Sequence, residues 1–387
     1  MNILIVDDNP MNVMVVQEML KRSGYEEVSA ANSAEEMFRL LRAELESSGD
    51  SHRMPTDLIL LDLMMPNMDG IQACRLLQQD EKLRDIPVIM VTAIGDSRKL
   101  AEALDAGATD YVTKPINKIE LLARIRSALR LKREMDWHKE RDLRMREELD
   151  LARQVQAAVL PQTLDEELYG LQAFFRASEQ LAGDLYAWHA FDRSRITVAV
   201  MDAMGHGISS SLISMFSASV LKEAMRMHLT PKRIVQELNR RLCQLHYENA
   251  LVHYYCTGIC ATVDLERGVL EYVNAGHPPG LVVRAGGGPT ETMAATGAPI
   301  GLFESLDVRT ETIAVHPGDA VYFYTDGLLD LFPGDVEAKK AELIRRIELG
   351  GADDETLRQL LLQPSLDRRS DDRCIVRMVA KAKEAKA

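Results

Sequence analysis

The stretch AVMDAMGHG, residues 199–207, follows directly on the apolar run Ile196-Thr197-Val198. A strand built from these residues would lie in a core, and a core strand gains nothing from a carboxylate at its tip. Asp202 therefore faces something that favours negative charge. Gly205 and Gly207 bracket His206 and let backbone approach closely. Further strands follow: CTGICATVDL (256–265), LEYVNAG (270–276) and AVYFYTD (320–326), the last again ending in aspartate. Apolar spacing predicts helices over 209–228, 231–246 and 337–349. Strands mixed with helix pairs predict a layered α+β or α/β/α-type sandwich over residues 161–380.

The N-terminal part alternates regularly. NILIV (2–6) reads as a strand, and Val13, Val16, Met19 and Leu20 lie at helical spacing until Gly24. A second strand is expected near Val28, then a helix from Ser33, an N-cap residue, to Glu46. ESSGDSHRMPTD (46–57) reads as a polar loop. DLILLD (57–62), PVIMVT (87–92) and DYVTKP (110–115) complete five strands, and such continuous apolar runs suit strands covered on both faces. The expected fold over residues 1–127 is α/β, a doubly wound five-stranded parallel sheet. Residues 128–160 read as a helical linker dense in both charge signs. Leu149, Ala152, Val155 and Val159 form a short apolar stripe that could pair two copies of the chain. Residues 381–387 read as a charged tail.

The 387 residues suit two or three domains, and a hydrophobic content of 46% can build full cores. A formal net charge of -13 argues against a general nucleic-acid binder. The five scattered cysteines read as reduced thiols. No apolar run approaches a membrane span of about 18 residues. Asp7-Asp8 interrupt any signal-type segment, so a cytoplasmic location is expected.

Asp7-Asp8, Asp62, Thr92 and Lys114 all fall at strand ends. In a doubly wound sheet the ligand site lies outside the carboxyl ends of the strands, so these residues converge on one edge. Three carboxylates gathered there repel one another unless a hard divalent cation such as Mg²⁺ joins them. Lys114 supplies a point charge suited to a phosphoryl group. With MMPNMDG (64–70), this set resembles the response-regulator receiver (CheY-like) family. The resemblance implies Asp62 as phosphoacceptor and Mg²⁺ held by Asp7, Asp8, Asp62 and the Met64 carbonyl. It further implies Thr92 and Tyr111 as the switch pair, and Lys114 as the phosphate partner.

A second acidic set comprises Asp184, Asp202, Asp326 and Asp371-Asp372. Oxygen donors with little histidine or cysteine favour Mg²⁺ or Mn²⁺ over zinc. Two such ions about 3.5–4 Å apart can hold and activate a water against phosphorus. LARQVQAAVLPQ (151–162), AGD (182–184), DAMGHG (202–207), NAGHPPG (274–280), TGAPIGL (296–302), GDAVYFYTDGLLD (318–330) and SDDRCIV (370–376) resemble, in order, the SpoIIE/RsbU-like branch of the metal-dependent (PPM) protein phosphatases. The resemblance implies Asp202 bridging two metals, with the Ala203 carbonyl on one of them. Asp184, Asp326 and Asp371 complete the shells, with Asp372 as the alternative to Asp371. His206 is a candidate general acid, and His277 a loop residue. Ala182 departs from the usual glycine, and Asp330 and Cys374 from the usual Glu and Thr.

The expected protein is thus a response regulator whose output is dephosphorylation of phosphoserine or phosphothreonine by direct attack of water, without a phosphoenzyme. A histidine kinase or other phosphodonor would act on Asp62. A STAS-domain anti-sigma-factor antagonist is the substrate the resemblance implies. The alternative is a non-catalytic adaptor that binds a partner-switching protein under receiver control.

Overall fold

The computed structural model describes residues 1–47, 55–93, 97–245, 254–350, 354–364 and 371–382. The chain divides into two compact units, Met1–Arg146 and Glu147–Ala387. The first contains β1 (Asn2–Val6), α1 (Pro10–Lys21), β2 (Val28–Ala31), α2 (Ala34–Ser47), β3 (Thr56–Asp62), α3 (Gly70–Gln79), β4 (Val88–Ala93), α4 (Ser97–Asp105) and β5 (Asp110–Lys114). The helix α5 (Lys118–Val159) begins here and ends in the second unit. The sheet order is β2-β1-β3-β4-β5, with every pair parallel.

All seven residues of β3 are buried, as two-sided coverage requires. Its successive side chains serve opposite faces: Ile59 and Leu61 join the core with α2 and α3, while Leu58 and Leu60 join the core with α1 and α5. Asn9 caps α1 by accepting from the Met11 amide at 2.9 Å, with Pro10 in the first turn. Asp69 caps α3 by accepting from the Gln72 amide at 2.7 Å. The loop expected at 46–57 is narrower at both ends, because α2 reaches Ser47 and β3 starts at Thr56; most of it lies outside the described residues.

The second unit contains β6 (Leu164–Asp165), β7 (Tyr169–Arg176), β8 (Asp184–Ala190), β9 (Arg195–Ala203), α6 (Ile208–Arg226), α7 (Pro231–Cys243), β10 (Cys256–Asp264), β11 (Val269–Ala275), β12 (Gly280–Val283), β13 (Glu291–Met293), β14 (Glu311–Ala314) and β15 (Ala320–Tyr324). A 3₁₀ helix (Asp326–Leu331), α8 (Val336–Gly350), α9 (Asp354–Leu362) and β16 (Arg373–Ala380) follow. Two antiparallel sheets form, in the orders β14-β11-β10-β9-β8 and β13-β12-β15-β16-β7-β6.

The pleat of β9 explains the layering. Ile196, Val198 and Val200 point into the core between the sheets, while Ala199, Met201 and Ala203 point to the core beneath α6 and α7. Each large side chain so buried contributes about 1.5–3 kcal/mol. A third core lies beneath α8 and α9 on the other sheet. The expected layered sandwich is therefore present, its central layer made of two sheets. One expectation needs correction. β15 stops at Tyr324, and Asp326 opens the 3₁₀ helix rather than ending the strand.

The end of α5 packs within the second unit. Val159 and Leu160 join the core beneath α6 and α7, and the Lys222 Nζ donates to the Val159 carbonyl at 2.5 Å. All five cysteines are free thiols. Among the described residues, no helix is long and apolar enough to cross a membrane.

Candidate functional sites

In the first unit, Asp7, Asp8 and Asp62 each offer an oxygen within 4.8 Å of the others'. Asp7 and Asp62 are buried and Asp8 is exposed. The Lys114 Nζ donates to Asp62 Oδ1 at 2.8 Å and to Asp7 Oδ2 at 2.9 Å. Asn12 donates to both oxygens of Asp7 at 3.0 Å. Burial raises the Asp62 carboxyl above its usual range; the bond and charge of Lys114 oppose this, while Asp7 and Asp8 add to it. Burial alone would lower Lys114, but its bonds to Asp62 and Asp7 outweigh that and raise it. Three carboxylates facing one cation remain negative overall, and hard oxygen donors at this spacing fit Mg²⁺. Thr92 is buried, donating to the Ala93 carbonyl at 3.3 Å. Tyr111 is half-buried. The Met64 side chain is exposed, its sulfur 3.8 Å from the Lys99 Nζ.

The second acidic set gathers at one edge of the sandwich. Asp184 and Asp202 face each other across β8 and β9. Asp326 arrives with the 3₁₀ helix and Asp371 just before β16. Burial raises Asp202 most, to about 8, with further pushes from Asp326, Asp371 and Asp372. Asp184 is driven well above its usual value by burial, then by Asp202 and Asp372. Asp326 and Asp371 are exposed as residues, yet their carboxyls are raised too, chiefly by loss of solvent around them. These carboxylates do not close to the spacing of the first site. Asp202 receives no protein hydrogen bond among the described residues, and the carboxylate of Asp184 receives one, from Thr325 Oγ1 at 2.7 Å. An all-oxygen set left short of donors fits hard divalent cations.

Asp371 and Asp372 differ in their surroundings. Asp372 is buried, and its oxygens accept from the Ser178 amide and hydroxyl and from the Gly183 amide at 2.7–2.9 Å. Asp371 is exposed and meets Asp326 and Asp202 electrostatically. Asp372 thus holds the AGD turn in place, and among the described residues Asp371 makes one hydrogen bond through its carboxylate, to the Asp372 amide. Gly183 suits the close packing there, since a Cβ would lie 3.1 Å from the Ala203 carbonyl and 3.2 Å from Ser210 Cβ.

His206 is 77% exposed and its Nδ1 lies 3.1 Å from Glu179 Oε1. Gly205 and Gly207 on either side adopt φ of 88° and 81°. His277 is buried, its Nδ1 2.8 Å from Thr257 Oγ1 and its amide donating to Asn274 Oδ1 at 2.8 Å, as a loop residue would. Burial pushes its imidazole down to about 3. Sequence reading missed three supports. Thr325 also accepts from the Cys374 amide at 3.0 Å, so it ties Asp184 to β16. Gln156 on α5 is buried, donating to the Ala182 carbonyl at 2.7 Å and accepting from the Ala182 amide at 3.0 Å. A polar residue amid the apolar face of 151–162 was the signal for it. Arg373 is the third, buried beside Asp371.

The fold and the two acidic sites define a receiver-type α/β unit followed by a two-sheet unit of the phosphatase type. Residues 3–126 match the family described as "Response regulator receiver domain", and residues 192–380 match "Stage II sporulation protein E (SpoIIE)". The chain is 31% identical over 243 residues to the phosphoserine phosphatase RsbP of Bacillus subtilis (strain 168), covering 60% of this chain and 58% of that protein. It is 38% identical over 128 residues to the DNA-binding dual master transcriptional regulator RpaA of Synechocystis sp., covering 33% of this chain and 48% of that one. The chain thus spans about half the length of these relatives. The SiaA-PP2C domain of Pseudomonas aeruginosa superposes with a TM-score of 0.51 at 20% identity, over 61% of this chain and 97% of that domain, a likeness of fold.

Proposed function

We propose that this chain is a protein phosphatase that removes phosphate from phosphoserine or phosphothreonine, under control of phosphorylation at Asp62. The observation that carries the reading is the convergence of buried Asp184, half-buried Asp202 and the exposed Asp326 and Asp371, whose mutual repulsion and partial loss of solvent call for cations. Two Mn²⁺ or Mg²⁺ ions, when bound, would supply an activated water and positive charge for the phosphoryl oxygens. Asp202 would be the shared ligand, with the Ala203 carbonyl, Asp184, Asp326 and Asp371 around it. Thr325 and Gln156 fix Asp184 and the turn before it. His206 is placed in the open, where it can give a proton to a leaving seryl or threonyl oxygen. The likeness to a phosphoserine phosphatase supports the substrate class. A phosphorylated STAS-domain anti-sigma antagonist is the substrate proposed.

In the receiver, 1–127, Asp62 would take the phosphoryl group from a histidine kinase or other donor, with Mg²⁺ on Asp7, Asp8 and the Met64 carbonyl. Thr92 and Tyr111 would respond to it and Lys114 would pair with the new oxygens. The linker, 128–160, is the route to the phosphatase region, 161–380, leaving a tail at 381–387. Of the apolar stripe on α5, Val155 is exposed, Leu149 and Ala152 are half-buried and Val159 packs into the core beneath α6 and α7. Exposed Val155 and Leu151 support pairing of two copies through this part of the helix, in a cytoplasmic protein. The test is phosphate release before and after treatment with a small acyl phosphate. The rate should change in the intact chain and not in Asp62→Ala; an unchanged rate in the intact chain refutes control by Asp62.

A further inference from the structure

Beside the second site lies a small cavity of about 90 Å³, lined by Arg176, Ala177, Ser178, Gln363, Pro364, Asp371 and Arg373. Arg176 and Arg373 are directly opposite each other in the β7–β16 ladder, so both side chains lie on one face. Like charges placed so oppose each other unless something negative is shared between them. Arg373 is 4% exposed, and neither arginine has a carboxylate within ion-pair distance among the described residues; the Asp330 charge acts on Arg373 only from farther off. Their partners are carbonyls at the end of α9. Arg176 Nη1 donates to Leu361 O at 3.0 Å, and Arg373 Nη1 donates to Leu361 O at 2.9 Å and Gln363 O at 2.5 Å. Those carbonyls carry only the partial negative charge of a helix end. The Nε and Nη2 groups of both residues make no hydrogen bond among the described residues, and Arg373 borders the cavity with them unspent. A buried guanidinium without an anion is costly, and a planar fork of donors suits an oxyanion.

We propose that Arg176 and Arg373 form an oxyanion subsite adjoining Asp371, which receives either the phosphate of the reaction or a carboxylate beside the phosphorylated residue of the substrate protein. The inference rests on the proposed phosphatase reading for the identity of the anion. The arginines carry the two charges that the carboxylate cluster lacks, so an anion can settle next to an otherwise acidic edge. The α9 carbonyls hold the guanidinium groups in place before the ligand arrives.

The test is calorimetric titration of inorganic phosphate into the full chain with Mn²⁺ present, for the wild type, Arg176→Gln, Arg373→Met and Arg373→Lys. Thermal melts establish that each variant is folded, and Arg176→Gln, at the exposed member of the pair, serves if Arg373→Met is not. Loss of a charged hydrogen bond predicts affinity weakened by about tenfold or more in Arg176→Gln and Arg373→Met, and less in Arg373→Lys. A second arm compares KM for two phosphoserine peptides that differ by Glu or Gln next to the phosphoserine. If the anion is a side-chain carboxylate, the wild type prefers Glu and Arg176→Gln loses that preference while phosphate affinity holds. Folded variants that keep both phosphate affinity and peptide preference overturn the inference. The calorimetric arm reads binding without turnover. An arginine-dependent phosphate site in a chain with no hydrolysis would refute the phosphatase reading and leave the subsite standing.

Discussion

Replacing Asp202 by Asn should stabilise the metal-free chain and abolish its stabilisation by Mn²⁺. Asp202 has a folded pKa of about 8, against an ordinary 3.8, because its half-buried carboxyl loses solvent and faces Asp326, Asp371 and Asp372. A carboxyl raised in this way contributes stability that is complete below about pH 4 and lost as pH rises toward 8. At pH 7 the unfolded carboxylate is ionised while the folded one is held protonated, over a gap of about 3 pH units. At about 1.4 kcal/mol per unit this costs the fold about 4 kcal/mol. Part of that repulsion is shared with Asp184, so about 2–4 kcal/mol is recoverable at this one position. For a domain of this size that is a rise in Tm on the order of 5–15 °C. The assay is scanning calorimetry of chelator-treated protein between pH 5 and 8, following the transition that Mn²⁺ shifts. The wild-type transition should fall with rising pH and recover with Mn²⁺; that of Asp202→Asn should be higher, flatter and insensitive to Mn²⁺. An Asp202→Asn transition at or below the wild-type one at pH 8 would refute the electrostatic reasoning.

Three other outcomes are expected. Gly70→Ala places a Cβ 2.3 Å from the Asp62 carbonyl, so acyl-phosphate labelling of Asp62 should be lost while Mn²⁺-dependent hydrolysis by the second unit persists; normal labelling would count against the geometry of that turn. Gln156→Leu leaves the buried Ala182 amide and carbonyl without partners, and should lower stability by about 2–4 kcal/mol and weaken Mn²⁺ binding; retained metal affinity would show that α5 does not support the AGD turn. Asp371→Asn should weaken Mn²⁺ binding with little loss of stability, whereas Asp372→Asn should chiefly lower the melting temperature, and the reverse pattern would exchange their roles.

The strands legible in the sequence were those whose burial is written in their own residues. β1, β3, β4, β9, β10 and β15 are near-continuous apolar runs because both of their faces are covered. β6, β13 and β14 are two to four residues long and depend on a neighbour for their conformation, so their sequences carried no pattern. β16 was hidden by Arg373 and Arg377, which a buried strand seldom tolerates and which here find carbonyl and side-chain partners. The acidic residues of both sites stood out because strand-end carboxylates are unexplained by packing. Their supports did not. Thr325 and Gln156 are ordinary residues whose value lies in contacts over 141 and 26 positions of chain. Asp326 reads as a strand end because Thr325 before it is still extended, while ladder pairing stops at Tyr324 and the backbone turns at Asp326.

The most direct measurement of the central claim is Mn²⁺-dependent release of phosphate from a small aryl phosphate by the full chain, with Asp202→Asn as control. Hydrolysis by the wild type that requires Mn²⁺ and falls to the metal-free background in Asp202→Asn is the predicted result. Equal rates from the two proteins, or none from either, would contradict it.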